Sequence, residues 1–141
     1  MKRPDARAFL FDIQRACQLI TQFISGTTLP DYAADPKTRS AVERQLEIIG
    51  EALGQMLRSF PEMEHQFPEA PRIISFRNYL IHGYASVSNQ VVWGILEGNL
   101  PELAPRSKSS SKRVKGHHPA SQDVPEEASR PCWEPRARAV E

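Results

Sequence analysis

Cysteine is scarce: Cys17 and Cys132 are the only two in 141 residues. Cys17 falls inside an apolar helical pattern and Cys132 in a polar C-terminal stretch, so no disulfide framework is expected and a reducing compartment fits better. Long apolar runs are missing too. The first apolar residues are broken by Arg7, Asp12 and Arg15, which argues against a secretory signal. No stretch reaches the ~18 apolar residues of a membrane span, so a cytoplasmic chain without membrane attachment is the expectation. Charge of one sign is also lacking. Lys and Arg number 18 against 17 Asp and Glu, a formal net charge of +1. No global field therefore draws the chain to a polyanion, and any such contact must rest on a few well-placed cations. His117 and His118 are adjacent, but no four-ligand cysteine/histidine spacing accompanies them, so neither a metal site nor a cofactor is expected.

What the sequence has is helical periodicity. Over 4–24, Phe9, Leu10, Ile13, Ala16, Cys17, Ile20, Phe23 and Ile24 form one apolar stripe. Pro4 suits a first helical turn, and Gly26 suits a C-terminal stop. Residues 29–37, with Pro30, Asp31, Asp35 and Pro36, read as a connector with room for a helical turn. A second helix is predicted over 38–59 on Val42, Leu46, Ile49, Leu53, Met56 and Leu57. Gly50 and Gly54 interrupt it at i, i+4. Each glycine costs a helix up to ~1 kcal/mol against alanine, which points to another helix backbone approaching there. Pro61 and Pro68 bracket a loop. A third helix is predicted over 71–84 and a fourth over 89–100, stopped by Pro101, with Gly94 and Gly98 again at i, i+4.

No strand alternation occurs, so the expected fold is all-α: four packed helices in an antiparallel bundle. The composition divides the chain into a helical domain over 1–104 and a C-terminal stretch over 105–141. That stretch holds five prolines, eight Lys/Arg, five Asp/Glu and one aromatic, Trp133, leaving the body at −2 and the tail at +3. It offers too little apolar surface to offset ordering entropy, so a disordered tail is expected. Its first part, 106–118, has five Lys/Arg and no acid. It reads either as a solvated tail or as a weak, sequence-blind tether for RNA.

The chemistry concentrates in Arg77-Asn78-Tyr79-Leu80-Ile81-His82-Gly83-Tyr84. Arginine is a permanent cation whose planar fork suits phosphate. Histidine exchanges protons near neutral pH. The pair could therefore serve metal-independent cleavage of a phosphodiester. On a helical wheel Asn78 and His82 share a face, as do Arg77 and Tyr84. Arg77 and His82 diverge by roughly 140°. Either the long arginine stem bends toward the histidine, or a second copy of the motif completes the site. Taken alone, the spacing fits a surface arginine and a histidine capping a helix end better than it fits catalysis. Glu47 and Glu51, at i, i+4, read as a solvated face more readily than as an acid/base pair, and Arg44 is placed to pair with Glu47. Tyr79 points away from Arg77 and reads as packing, Trp93 as core or interface, and Gly83 as room for the backbone beside the motif.

The motif has the Arg-x4-His-x-Tyr form, and the chain around it resembles the HepT-like toxins of the HEPN superfamily. The block Val42-Glu43-Arg44-Gln45-Leu46-Glu47-Ile48-Ile49-Gly50-Glu51-Ala52 resembles their second helix. Val92-Trp93-Gly94-Ile95-Leu96, followed by Asn99-Leu100-Pro101-Glu102-Leu103, resembles their closing helix. The likeness covers roughly 5–104, and the three blocks in this order are more specific than the motif alone. It implies a helical bundle that forms a homodimer with the motif lining a cleft between subunits. It also implies metal-independent RNA cleavage by Arg77 and His82 with Asn78 in support, and an MntA-like nucleotidyltransferase antitoxin that attaches AMP to Tyr84. Two other readings remain open: a catalytically inactive HEPN interaction module pairing with a nucleotidyltransferase, and a dimeric helical scaffold that holds RNA through its basic tail. Nothing in the likeness explains the 37 residues after 104.

Overall fold

The computed structural model describes residues 4–83 and 85–114, apart from the side chains of 109 and 111–114. Among the described residues every regular element is helical: α1 (Ala6–Ile24), α2 (Leu29–Ala34), α3 (Pro36–Ser59), a 3₁₀ turn (Pro61–Gln66), α4 (Ala70–His82), α5 (Asn89–Gly98) and α6 (Leu100–Val114). The all-α expectation is met, and the elements outnumber the four expected. No described helix is long and apolar enough to cross a membrane.

Local chemistry fixes the ends. Asp5 caps α1 by accepting from the Arg7 amide at 2.9 Å, so α1 starts two residues later than the sequence suggested. An aspartate before the first turn satisfies an amide that Pro4 cannot. Gly26, at φ +70°, stops the chain after α1 in the left-handed region. Thr28 and Asp31 form a reciprocal capping box at the head of α2. The presumed connector is therefore a six-residue helix. Asp35 then accepts from the Lys37 and Thr38 amides with Pro36 in the first turn, which moves the start of α3 to Pro36.

α1 packs on α3 and α6, α3 also packs on α4, and the short α2 bridges α3 and α5. Leu10, Ile13 and Ile20 of α1 meet Val42, Leu46, Ile49, Leu53 and Met56 of α3 in one core with Phe67, Ile73, Leu80, Val92 and Leu103. Cys17 is buried in the same core, and burial pushes its thiol up to about 12. Trp93 is half-buried, its ring 5.5 Å from that of buried Tyr32, which fits the core reading.

The C-terminal boundary differs from expectation. Residues 105–114, read from sequence as the start of a disordered tail, continue α6, and the expected break at 104/105 falls inside it. Polar contacts that composition does not reveal dock this segment. Arg106 pairs with the buried carboxylate of Glu69. Ser110, also buried, donates to Gln66 Oε1 at 2.6 Å. Ser107 is fully buried and donates back to the Ala104 carbonyl at 2.9 Å. Residues 115–141, with His117, His118, Cys132 and Trp133, lie outside the described residues.

Candidate active site

A close approach occurs at one of the two α3 glycines, made by an arginine side chain and not by the helix backbone expected. A Cβ on Gly50 would stand 2.4 Å from Cβ of Arg77, with Cγ and Cδ of that arginine at 3.1 and 3.2 Å. The arginine stem thus lies directly across the α3 backbone, and only hydrogen fits beneath it. Gly54 has no such neighbour: its Cβ would meet only the Arg58 guanidinium, at 3.5 Å. Gly94 and Gly98 face open space.

The stem carries the Arg77 guanidinium to Glu51, the next residue along α3. Arg77 Nη2 lies 2.7 Å from Glu51 Oε2. Arg77 Nη1 donates to Asn78 Oδ1 at 3.0 Å. Gln55, one turn further along α3, donates to the other Glu51 oxygen at 2.5 Å. That hydrogen bond, with the charges of Arg77 and Arg58, holds the Glu51 carboxyl below the ordinary carboxylate range. Glu51 was read from sequence as part of a solvated face. The signal that could have assigned it was the Gly50-Glu51 step itself: a glycine seat and an acid side by side, opposite the helix that carries Arg77.

Arg77, Glu51 and Gln55 line an open groove of about 260 Å³ between α1, α3 and α4. Phe9 and Asp12 come from α1, Arg44, Glu47, Ile48, Glu51, Ala52 and Gln55 from α3, and Arg77 and Ile81 from α4. Arg44 does pair with Glu47, at 3.3 Å, and so adds no uncompensated charge. Two arginines face three carboxylates across the groove.

His82 is not among the groove's lining residues. It sits exposed in the last turn of α4, where the helix dipole favours a cation. Asn78, expected on the same face as His82, turns to Arg77 instead. One chain therefore joins Arg77 to Asn78 and leaves His82 outside the groove that Arg77 lines, as the wheel geometry anticipated. Tyr84 lies outside the described residues. Ser86 and Ser88, ahead of α5, are anchored by Tyr79, whose hydroxyl donates to the Ser86 carbonyl at 3.2 Å and accepts from the Ser88 amide at 2.9 Å. Tyr79 also packs on Phe76, with ring centroids 5.6 Å apart. Its packing role is met, with a second role the sequence did not reveal. Gly83 closes α4 through its amide to the Tyr79 carbonyl at 2.8 Å, where a Cβ would collide with the same oxygen.

Residues 13–109 match the family described as Ribonuclease HepT-like. The chain is 30% identical over 118 residues to "Putative RNase MJ0127" of Methanocaldococcus jannaschii, covering 82% of this chain and 95% of that protein. It is 31% identical over 115 residues to "Putative RNase TTE0752" of Caldanaerobacter subterraneus, covering 82% of this chain and all of the relative. It is 35% identical over 103 residues to "Probable ribonuclease HepT" of Thermococcus cleftensis, covering 73% and 92%. No solved structure matches with significance. These matches make the all-α chain a ribonuclease. The chain belongs to the HepT-like ribonuclease family.

Proposed function

We propose that this ribonuclease is the toxin of a toxin–antitoxin pair and cleaves RNA without a metal ion, through Arg77 and His82. The observation that carries the reading is the Arg77 guanidinium, fixed at the rim of an open groove by groups on both α3 and α4. His82 removes the proton from a ribose 2′-OH. The 2′-oxygen attacks phosphorus, the bond to the 5′-oxygen breaks, and that oxygen leaves with a proton. A 2′,3′-cyclic phosphate and a 5′-hydroxyl result, and DNA, lacking the 2′-OH, is spared. Arg77 stabilises the charge that grows on the phosphoryl oxygens.

Because His82 stands outside the groove that Arg77 lines, the complete site is assigned to a homodimer in which one subunit's arginine works with the other's histidine. The antitoxin is a nucleotidyltransferase of the MntA type. It transfers AMP from ATP to the Tyr84 phenol with release of pyrophosphate, adding negative charge and bulk beside the cleft. A cytoplasmic location accords with an RNA substrate.

The test is cleavage of single-stranded RNA in EDTA by the unmutated chain, R77A and H82A, with folding followed by circular dichroism and Tyr84 checked by intact mass. The unmutated chain should cleave and each variant should lose activity by at least about a hundredfold, the scale of a lost acid/base or oxyanion group. Mixing the two inactive variants should restore roughly a quarter of the activity, since half of randomly paired dimers then hold one intact composite site. Cleavage by folded H82A at the unmutated rate would sink the mechanism. A folded, unmodified and inactive unmutated chain would leave the interaction-module reading.

A further inference from the structure

The placement of Arg77 is set by two helices at once. Its stem rests on Gly50, and its Nη2 is taken by Glu51 at 2.7 Å and its Nη1 by Asn78 at 3.0 Å. Glu51 is itself held, because Gln55 occupies its other oxygen at 2.5 Å. A guanidinium has five N–H donors in one plane. With Nη1 hydrogen-bonded to Asn78 and Nη2 ion-paired with Glu51, both ends of the fork are anchored and the remaining donors stay available to a phosphate. We infer that Glu51 is a positioning residue of the ribonuclease: it orients the Arg77 guanidinium toward the scissile phosphate through the Gln55–Glu51–Arg77–Asn78 chain of contacts.

The alternative action of the same carboxylate would be competition with the phosphate for Arg77. The geometry favours orientation, because Glu51 engages one terminal nitrogen, at a single oxygen, and does not bridge the fork. Removing a group that only orients should reduce turnover more than binding, since a loosened guanidinium still attracts phosphate and misses the transition state. Loss of a competitor would instead tighten binding and raise turnover. The inference rests on the assignment of Arg77 given above, and its test includes a signal that does not depend on cleavage.

The experiment follows the Arg77 Nε–H resonance in ¹H–¹⁵N spectra, assigned by its absence in R77A. It also measures kcat and KM on a single-stranded RNA for the unmutated chain, E51A, E51Q, R77A and the E51A/R77A double variant. In E51A the resonance should move to the position of a free, rapidly rotating guanidinium, and kcat should fall about tenfold to a hundredfold while KM changes by less than about threefold. E51Q keeps an oxygen acceptor and should fall between E51A and the unmutated chain. On the R77A background, E51A should cost nothing further, because Glu51 acts only through Arg77. An unmoved resonance in E51A, cleavage by E51A at or above the unmutated rate, or an equal additional loss on R77A would each overturn the inference. If the unmutated chain does not cleave at all, the catalytic reading fails on its own, and the resonance still decides whether Glu51 holds Arg77.

Discussion

A methyl group at position 50 would overlap Cβ of Arg77, while one at position 54 would make only an ordinary contact with a mobile guanidinium. The two glycines look alike in sequence and differ in consequence. G50A must push α4 from α3 or bend the arginine stem. Overpacking of this kind costs about 1–3 kcal/mol, and here it also displaces the guanidinium. G54A should be neutral or stabilising by up to ~1 kcal/mol, because alanine favours the helix and narrows the unfolded ensemble. Urea unfolding of both variants checks the pair, and similar midpoints for the two would remove the seat from the account. At this scale the candidate residues Arg77, Asn78 and His82 come from the sequence, where side-chain chemistry singles them out. Glu51 does not, because a carboxylate on a helix face is ordinary until the residue opposite it is known.

Among the elements, α6 shows the limits of composition most clearly. Its mean polarity is that of a tail, yet it docks through Leu103, the Arg106–Glu69 pair and Ser110 on Gln66. Glu69 is buried and Arg106 half-exposed, so R106A strands a carboxylate away from water. It should destabilise the fold by about 1–3 kcal/mol, with part of the loss recovered in an E69A/R106A double variant. Thermal melts of the three chains test this, and an unchanged melting temperature in R106A would mean the pair contributes nothing. Helix existence was legible from periodicity, whereas the helix starts set by Asp5, Thr28 and Asp35 were placed only by the structure. The docking of 105–114 was not legible either, because it depends on partners some 40 residues away in the chain.

For the whole molecule, acid should weaken the fold. Arg7 lowers the Asp5 carboxyl, Thr38 that of Asp35, and Gln55 with two arginines that of Glu51. A carboxylate whose folded value lies below its unfolded one stabilises fully above the unfolded range, near pH 4, and loses that contribution as pH falls through the folded value. Glu43 works in the opposite sense, since burial raises it. With three groups against one, the melting temperature should drop between about pH 5 and pH 3, and E51Q should flatten part of that slope. A melting temperature independent of pH over that window would show that these contacts do not persist in solution.

The sequence alone determined that the chain is helical, where its long helices run, and which eight residues are the candidates for the chemistry. Each of these follows from periodicity, capping and side-chain type, which act within a turn or two of the chain. Tertiary structure decided the rest: that Gly50 and not Gly54 seats Arg77, that Glu51 holds its guanidinium, that Tyr79 anchors the loop after the motif, and that 105–114 packs as helix. It also placed His82 outside the groove that Arg77 lines. These are contacts between elements distant in sequence, and their geometry exists only once α3, α4 and α6 have packed.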